Sequence, residues 1–270
     1  MIDVCALTTG YAKPRGKNAV LTSVSCTIPA RRMTVLVGPN GSGKSTLLRA
    51  ICGFLPAWAG TVTVDGRPLS AYTPVQRAQK IAFLAQRHIV PDCTVHRLVL
   101  HGRFPYTRFP RQYRADDVAA VQDALDMLGI AELAEKNLRA LSGGQQQKAY
   151  LAMALAQQTP VLVLDEPLTF LDIRQQIDLV RTLGRLKAQG KTIVLVVHDL
   201  HTALTVADTL IVLCAGNIVA QGNPAVIAGD GTIDRVFSVR TQKVDGADGA
   251  PLYTFYADGA VSPRPQTELV

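Results

Sequence analysis

A short aliphatic run, Met33 to Val37, ends abruptly in Gly38-Pro39-Asn40-Gly41-Ser42-Gly43-Lys44-Ser45, with Thr46 next. Few patterns restrict a fold so tightly. The run reads as a buried strand, the glycines as a tight loop, and the residues from Lys44 as a helix. Leu47, Leu48 and Ile51 share one side of that helix and Gly53 stops it. Val161 to Leu164 and Ile193 to Val197 are further continuous aliphatic runs, as expected of strands covered on both faces. Between them Ile173, Ile177, Val180, Leu183 and Leu186 recur at helical spacing, which predicts a helix there. Strand–helix–strand alternation of this kind predicts a parallel α/β core with right-handed crossovers.

Other regions differ in character. Ile2 to Leu7, Ala19 to Ile28 and Thr61 to Val64 alternate as half-buried strands do, predicting an antiparallel β layer beside the core. From about Thr94 to Leu141 the pattern turns helical, notably at Val118, Val121, Leu125 and Leu128, with Gly129 closing the turn. This predicts an α-helical subdomain inserted in a domain spanning 1–244. Residues 245–270 are then an extension: strand-like pieces from Val239 are joined by the turn-rich Asp245 to Pro251, and Ser262 to Val270 reads as a frayed tail. No apolar stretch approaches the roughly 20 residues of a membrane span, and Met1 to Thr9 lacks the basic cluster of a secretory signal. Cys5, Cys26, Cys52, Cys93 and Cys214 are scattered and unpaired in pattern, and are expected to be small buried hydrophobes. The net charge is +7, and Arg97, Arg103, Arg108, Arg111 and Arg114 fall in a stretch without acids. That stretch reads either as a solvated face or as a docking patch near a membrane surface.

The chemistry follows from the residue types. In G-x-x-x-x-G-K-[ST], glycines let backbone N–H groups turn inward around a phosphate, and the following helix presents its positive N-terminal end. Lys44 can neutralise phosphate oxygens and the Ser45 hydroxyl can ligate Mg²⁺. The strand from Val161 ends in Asp165-Glu166, which offers one carboxylate to Mg²⁺ (Asp165) and another to polarise an attacking water (Glu166). Leu141-Ser142-Gly143-Gly144-Gln145 precedes a helix expected over Gln146 to Gln157 and is a second anion-binding device. Two such devices make sense if two copies of the chain face each other, each covering the other's nucleotide.

In this order and company the motifs resemble those of ABC (ATP-binding cassette) ATPases, from roughly Met1 to Val244. Gly38 to Thr46 resembles Walker A, Leu141 to Gln145 the signature, and Val161 to Glu166 Walker B. Gln86 resembles the Q-loop glutamine that senses Mg²⁺ and touches the transmembrane partner. Leu171-Asp172 resembles the D-loop, His198 the switch histidine at the γ-phosphate, and Tyr11 the aromatic that stacks on adenine. Asp172 can equally be the N-cap of the following helix. The resemblance implies a P-loop NTPase fold of ABC type, with the antiparallel β and α-helical subdomains, hydrolysing MgATP as a head-to-tail homodimer. Glu166, His198, Lys44 and Gln86 would serve hydrolysis. Ser45, Gln86 and Asp165 would attend the metal. The remaining loop residues, with Tyr11, Ser142 to Gln145 and Asp172, would hold ATP.

Gly102-Arg103-Phe104-Pro105-Tyr106, the run from Gln145 to Gln157 and Leu171-Asp172-Ile173 are similar to the importers of iron–siderophore, haem and cobalamin. That resemblance implies cytoplasmic placement on the inner face of the membrane, separate permease subunits and, indirectly, a periplasmic or lipoprotein binding protein. Leu168 stands where many members have threonine, and His201 where asparagine is frequent. The alternative is an ABC-type ATPase of nucleic-acid maintenance. Such proteins carry coiled-coil or zinc-bearing insertions, and this chain has neither heptad arrays nor paired cysteines, so no nucleic-acid partner is expected. Kinases and GTPases with a similar phosphate loop lack the signature.

Overall fold

The computed structural model describes residues 1–13, 16–86, 88–107, 112–246 and 251–257. Arg108, Arg111 and the expected tail from Ser262 lie outside them. The chain begins with two long strands, β1 (Ile2–Lys13) and β2 (Gly16–Ile28), then β3 (Met33–Val37), the phosphate-loop segment and α1 (Lys44–Ile51). β4 (Ala59–Val64), β5 (Arg67–Pro68), α2 (Pro74–Lys80) and β6 (Ile81–Leu84) lead to the helical region. That region holds α3 (Val95–His101), α4 (Ala115–Met127) and α5 (Gly143–Ala156). β7 (Val161–Asp165), α6 (Ile173–Ala188), β8 (Thr192–Val196), α7 (Leu200–Val206), β9 (Thr209–Cys214) and β10 (Asn217–Gly222) return to the core. α8 (Pro224–Gly229), α9 (Thr232–Phe237), β11 (Val239–Asp245) and β12 (Pro251–Ala257) complete it.

The main sheet has the order β10-β9-β3-β8-β7-β6 and is parallel except for β10, which pairs antiparallel with β9. A second, antiparallel sheet runs β2-β1-β4-β5. The expected α/β core with an antiparallel β layer is therefore what forms. Pleating sends alternate residues of the parallel strands to opposite faces. Val35, Val37, Leu84, Leu162, Leu164, Ile193 and Leu195 join a core with the helical layer. Leu36, Val163, Val194, Val196, Ile211 and Leu213 join another, with Leu47, Leu48 and Ile51 of α1 and Ile2, Val4, Leu7 and Leu21 of the antiparallel sheet. α1 thus packs between two sheets, which fixes the loop at its start.

Four readings of the sequence change. The helix after the signature begins at Gly143, not Gln146, because Ser142 caps it. The apolar positions of α6 are not one face. Steps of three lag the 3.6-residue turn by about 60° each, so the series rotates around the helix. Leu179, Leu183 and Leu186 are buried, whereas Ile173 is 73% exposed and Ile177 lies about 200° from Leu179 on the solvent side. Cys5 is exposed, while Cys26 and Cys52 are buried; all five cysteines are free thiols.

The fourth concerns Arg103, which is no part of a docking patch. Its Nε donates to Asp117 Oδ1 at 2.8 Å and its Nη1 to the Ala156 carbonyl at 2.8 Å, and the guanidinium lies 4.2 Å over the Tyr106 ring. Both members of the pair are buried. The arginine ties α4 to the end of α5 through two different nitrogens of its planar fork, a spread that the single nitrogen of an alkyl-ammonium lacks. Of the arginine stretch, Arg97 and Arg114 are exposed. Burial pushes the Asp117 carboxyl up, but the Arg114 backbone N–H and the Arg103 guanidinium outweigh it and hold the group below its ordinary value. Its stabilising effect is therefore complete above that ordinary value and is lost as pH falls through the lower one. Arg103→Met should cost about 3 kcal/mol at pH 7, because it leaves a buried carboxylate unpaired. The gap between wild type and variant in denaturant titrations should narrow below about pH 4.

Candidate functional site

The parallel register sets the site. Leu36 stands beside Val196, Val196 beside Asp165, and Leu84 beside Leu164. β3, β8, β7 and β6 therefore end level with one another, and the segments that leave them are neighbours. Those segments carry Gly38 to Thr46, His198, Asp165-Glu166 and Gln86 respectively.

The loop turns back on itself through Ser42 N–H to the Pro39 carbonyl, 3.1 Å, and is tied down where Gly216 N–H donates to the Ser42 carbonyl, also 3.1 Å. Gly41 and Gly43 have φ of 78° and 103°, a region that favours glycine. Gly43 occupies the N-cap of α1 in a left-handed conformation, and no side chain caps that helix. Its first N–H groups remain available to an anion. Lys44 Nζ donates to the Gly38 and Pro39 carbonyls at 2.7 and 3.1 Å. Burial lowers its pKa, while Glu166 and Asp165 push the other way. Asn40 and Gly41 are exposed; Ser42 and Thr46 are buried.

Asp165 is buried at the end of β7, and its Oδ1 has no hydrogen-bond partner among the described residues. Burial raises its pKa, Glu166 adds to the rise, and the Ser45 hydroxyl, which donates to the carboxyl, opposes it. An unsatisfied carboxylate oxygen beside a hydroxyl is a donor set that fits a small hard cation such as Mg²⁺.

Glu166 follows at a φ of 55°, strained for a side-chain-bearing residue. This turns it away from the strand direction, and two loops hold it there. Gln86 Nε2 donates to its Oε2 at 2.5 Å, and His198 Nε2 lies 2.6 Å from its Oε1. Gln86 is thus beside Glu166, where the sequence reading had it serving the metal as well. Tyr11, about one-third exposed, accepts a hydrogen bond from Arg49 in the last turn of α1, 3.2 Å. Arg49 carried no signal in the sequence beyond its charge.

The second device belongs to the helical region. Ser142 and Gln145 form a reciprocal cap at the start of α5, so the Gln145 side chain accepts from its own N-cap at 3.1 Å. Gly144 sits against the next motif: a Cβ there would come within 3.1 Å of the Phe170 carbonyl and of Gln175 Oε1. Asp172 caps α6, accepting from Gln175 N–H at 2.8 Å. Within the chain the contacts of Gly143 and Gly144 run to Phe170, Leu171 and Gln175. Phe170 is 73% exposed, beside exposed Ile173 and Ile177. A cleft of about 440 Å³ opens between Gln86, His88, Gly143, Tyr150 and Phe170. His88 stacks on Tyr150 there at 3.9 Å, a pairing that the separation of the two residues in sequence concealed.

The ABC transporter family profile matches residues 21–169. The ferric enterobactin transport ATP-binding protein FepC of Escherichia coli K12 is 41% identical over 249 residues, covering 91% of this chain and 90% of that one. This chain belongs to the ABC transporter family. The hemin import ATP-binding protein HmuV of Rhodococcus jostii RHA1 is 38% identical, with 84% of this chain and 78% of that one covered. Among solved structures, the ATP-binding cassette MJ0796, a dimer in a post-hydrolysis state with ADP and Pi, superposes with a TM-score of 0.75 at 26% identity, covering 83% of this chain and 99% of that one. As an ABC cassette the chain binds ATP and hydrolyses it to drive transport.

The ABC phosphate loop depends on Gly43. A Cβ there would approach Leu21 Cδ2 to 2.6 Å, at a φ that an L-residue resists. Gly43→Ala should lower stability by about 1–3 kcal/mol and weaken ATP binding, read by thermal denaturation with and without nucleotide.

Proposed function

We propose that this chain is the ATP-hydrolysing subunit of an importer for an iron chelate of the siderophore type or for haem. The observation that carries the chemistry is the meeting of Lys44, Asp165, Glu166, Gln86 and His198 at one edge of the parallel sheet. The cargo is inferred from the names of similar proteins, one transporting ferric enterobactin and another importing hemin.

In this reading, the free N–H groups of Gly41 to Ser45 and the start of α1 receive the β- and γ-phosphates, and Lys44 exchanges its loop carbonyls for phosphate oxygens. Tyr11 stacks on the adenine. Asp165 and Ser45 would hold Mg²⁺, and Gln86 would attend it from its place beside Glu166. The ion would screen charge on the phosphates and orient them for in-line attack. Glu166 takes a proton from the attacking water, with Gln86 and His198 fixing the carboxylate, and His198 is near enough to sense the γ-phosphate. Catalysis of this kind is mostly positioning and charge stabilisation.

The second copy is proposed from the signature loop. Ser142 to Gln145 and Asp172 present a helix N-terminus and a cap away from the chain's own phosphate loop, next to the exposed Phe170, Ile173 and Ile177. A head-to-tail homodimer would cover that apolar surface and complete two sites, and the similar MJ0796 cassette is dimeric with nucleotide products. Among the described residues no helix is long and apolar enough to cross a membrane. Separate permease subunits are therefore proposed, with the cassette on the cytoplasmic face and a binding protein delivering cargo from outside. The cleft beside Gln86 is where a permease segment could reach the hydrolytic groups.

Glu166→Gln should abolish turnover while retaining ATP binding, leaving a long-lived dimer visible by size-exclusion chromatography with ATP. Undiminished hydrolysis would remove Glu166 from its role. For the cargo, the cassette should be reconstituted with its permease and binding protein in proteoliposomes. Iron chelates or haem should stimulate hydrolysis several-fold over the empty binding protein. Stimulation by an unrelated solute alone would refute the assignment.

A further inference from the structure

The C-terminal hairpin meets the helix that follows His198, at His201. β11 and β12 pair antiparallel, Val239 with Ala257 through Asp245 with Pro251. In a two-stranded sheet the outer edge of β12 has no strand to satisfy it. At that edge the Tyr253 carbonyl meets His201 Nδ1 at 3.2 Å. A carbonyl can only accept, so Nδ1 carries the proton and donates. The Tyr253 side chain is buried, in the same core cluster as Ala203 and Leu204 of α7 and Ile227 and Ile233 of α8 and α9. The hairpin is therefore seated on α7.

α7 in turn is tied to His198. Asp199 caps the helix, accepting from His201 N–H at 3.3 Å and Thr202 N–H at 2.7 Å, and from the Thr202 hydroxyl. Thr205 Oγ1 donates to the His201 carbonyl at 2.8 Å. Only the capping residue separates this braced turn from His198, whose Nε2 lies 2.6 Å from Glu166. The imidazole of His198 is about half exposed, and the contact with Glu166 orients one end of it.

We propose that His201 is a positioning residue for the hydrolytic site. Its bond to Tyr253 makes the C-terminal hairpin a strut that holds the start of α7, and with it His198, in register with Glu166. The paired strands β11 and β12 then act on turnover without touching nucleotide. The proposal rests on the reading of Glu166 and His198 as hydrolytic groups, but its mechanical part can be measured independently.

The test uses the full chain with His201→Ala and His201→Asn; the asparagine amide can donate to the same carbonyl. ATPase kinetics, melting temperature, and the imidazole NMR signals of His198 (assigned with a His198→Gln variant) are recorded for each. His201→Ala should lower kcat about tenfold with KM for ATP within about twofold, as a misaligned group does. It should also shift or broaden the His198 signals, and His201→Asn should restore both. Unchanged His198 signals in the alanine variant would overturn the proposal. So would a fall in activity that follows the melting temperature alone, or an asparagine variant no better than alanine. If Glu166→Gln still turns over, the hydrolytic reading fails, while the His198 signals still decide whether the strut exists.

Discussion

Four adjacent parallel strands end at the same edge of one sheet, and the phosphate loop, Asp165, Glu166, Gln86 and His198 all hang from that edge. A parallel sheet forces each connection to leave from the same side and return over a face. Residues far apart in sequence, such as Gln86 and His198, are thereby delivered to a common place. The level ends of β3, β8, β7 and β6 put the phosphate loop, His198, Glu166 and Gln86 in neighbouring segments. Glu166 then closes the arrangement, since its two carboxylate oxygens meet groups from two other strands. The φ of 55° at this residue is the local cost of turning it there.

Charge burial makes the same edge reactive. Lys44, Asp165 and Glu166 are all buried; at Lys44 the two carboxylates oppose the effect of burial, whereas at Asp165 the neighbouring Glu166 adds to it. Burial disfavours the charged form of Lys44 and of Asp165 alike, so each is poised to gain from an added partner of opposite sign. Phosphate oxygens would serve the lysine, and a divalent cation the aspartate. The chain supplies half of each pair and holds it ready in a dry, fixed geometry, where electrostatic interactions are worth more than in water. This differs from the Arg103–Asp117 pair, which is buried but complete, and whose place is in the packing of α4 on α5.

What could be read from the sequence was what depends on neighbours in the chain. Aliphatic runs gave β3, β7 and β8, and the glycine pattern around Lys44 gave the strand, loop and α1. Tertiary partners decide the rest. Arg103 looks like a surface cation until Asp117 and the Ala156 carbonyl are brought to it. Ile173 and Ile177 look like core because apolar residues usually are, but Ile173 opens the first turn of α6 exposed and Ile177 lies about 200° from the buried Leu179. Gln145 looks available to a ligand until its reciprocal cap with Ser142 is seen. The pairing of Glu166 with Gln86 and His198 spans three strands, and no spacing rule along one segment could specify its geometry.

The short segment from Glu166 to Asp172 joins the two halves of this design. It begins at the carboxylate beside His198 and ends at the cap of α6, and it includes a second residue at positive φ, Phe170 at 67°. Along the way the Gln147 amide donates to the Pro167 carbonyl at 3.2 Å, and Gly144 packs against the Phe170 carbonyl. The signature helix therefore grips the same segment that carries the proposed base. A partner that pressed on Phe170 or Ile173 would act on a stretch already strained at two points and anchored to α5. Its displacement would reach Glu166 without crossing the sheet. Packed interiors transmit such shifts because they have little free volume in which to absorb them. In the proposed head-to-tail dimer, this packing would link occupation of the signature loop to readiness of the carboxylate.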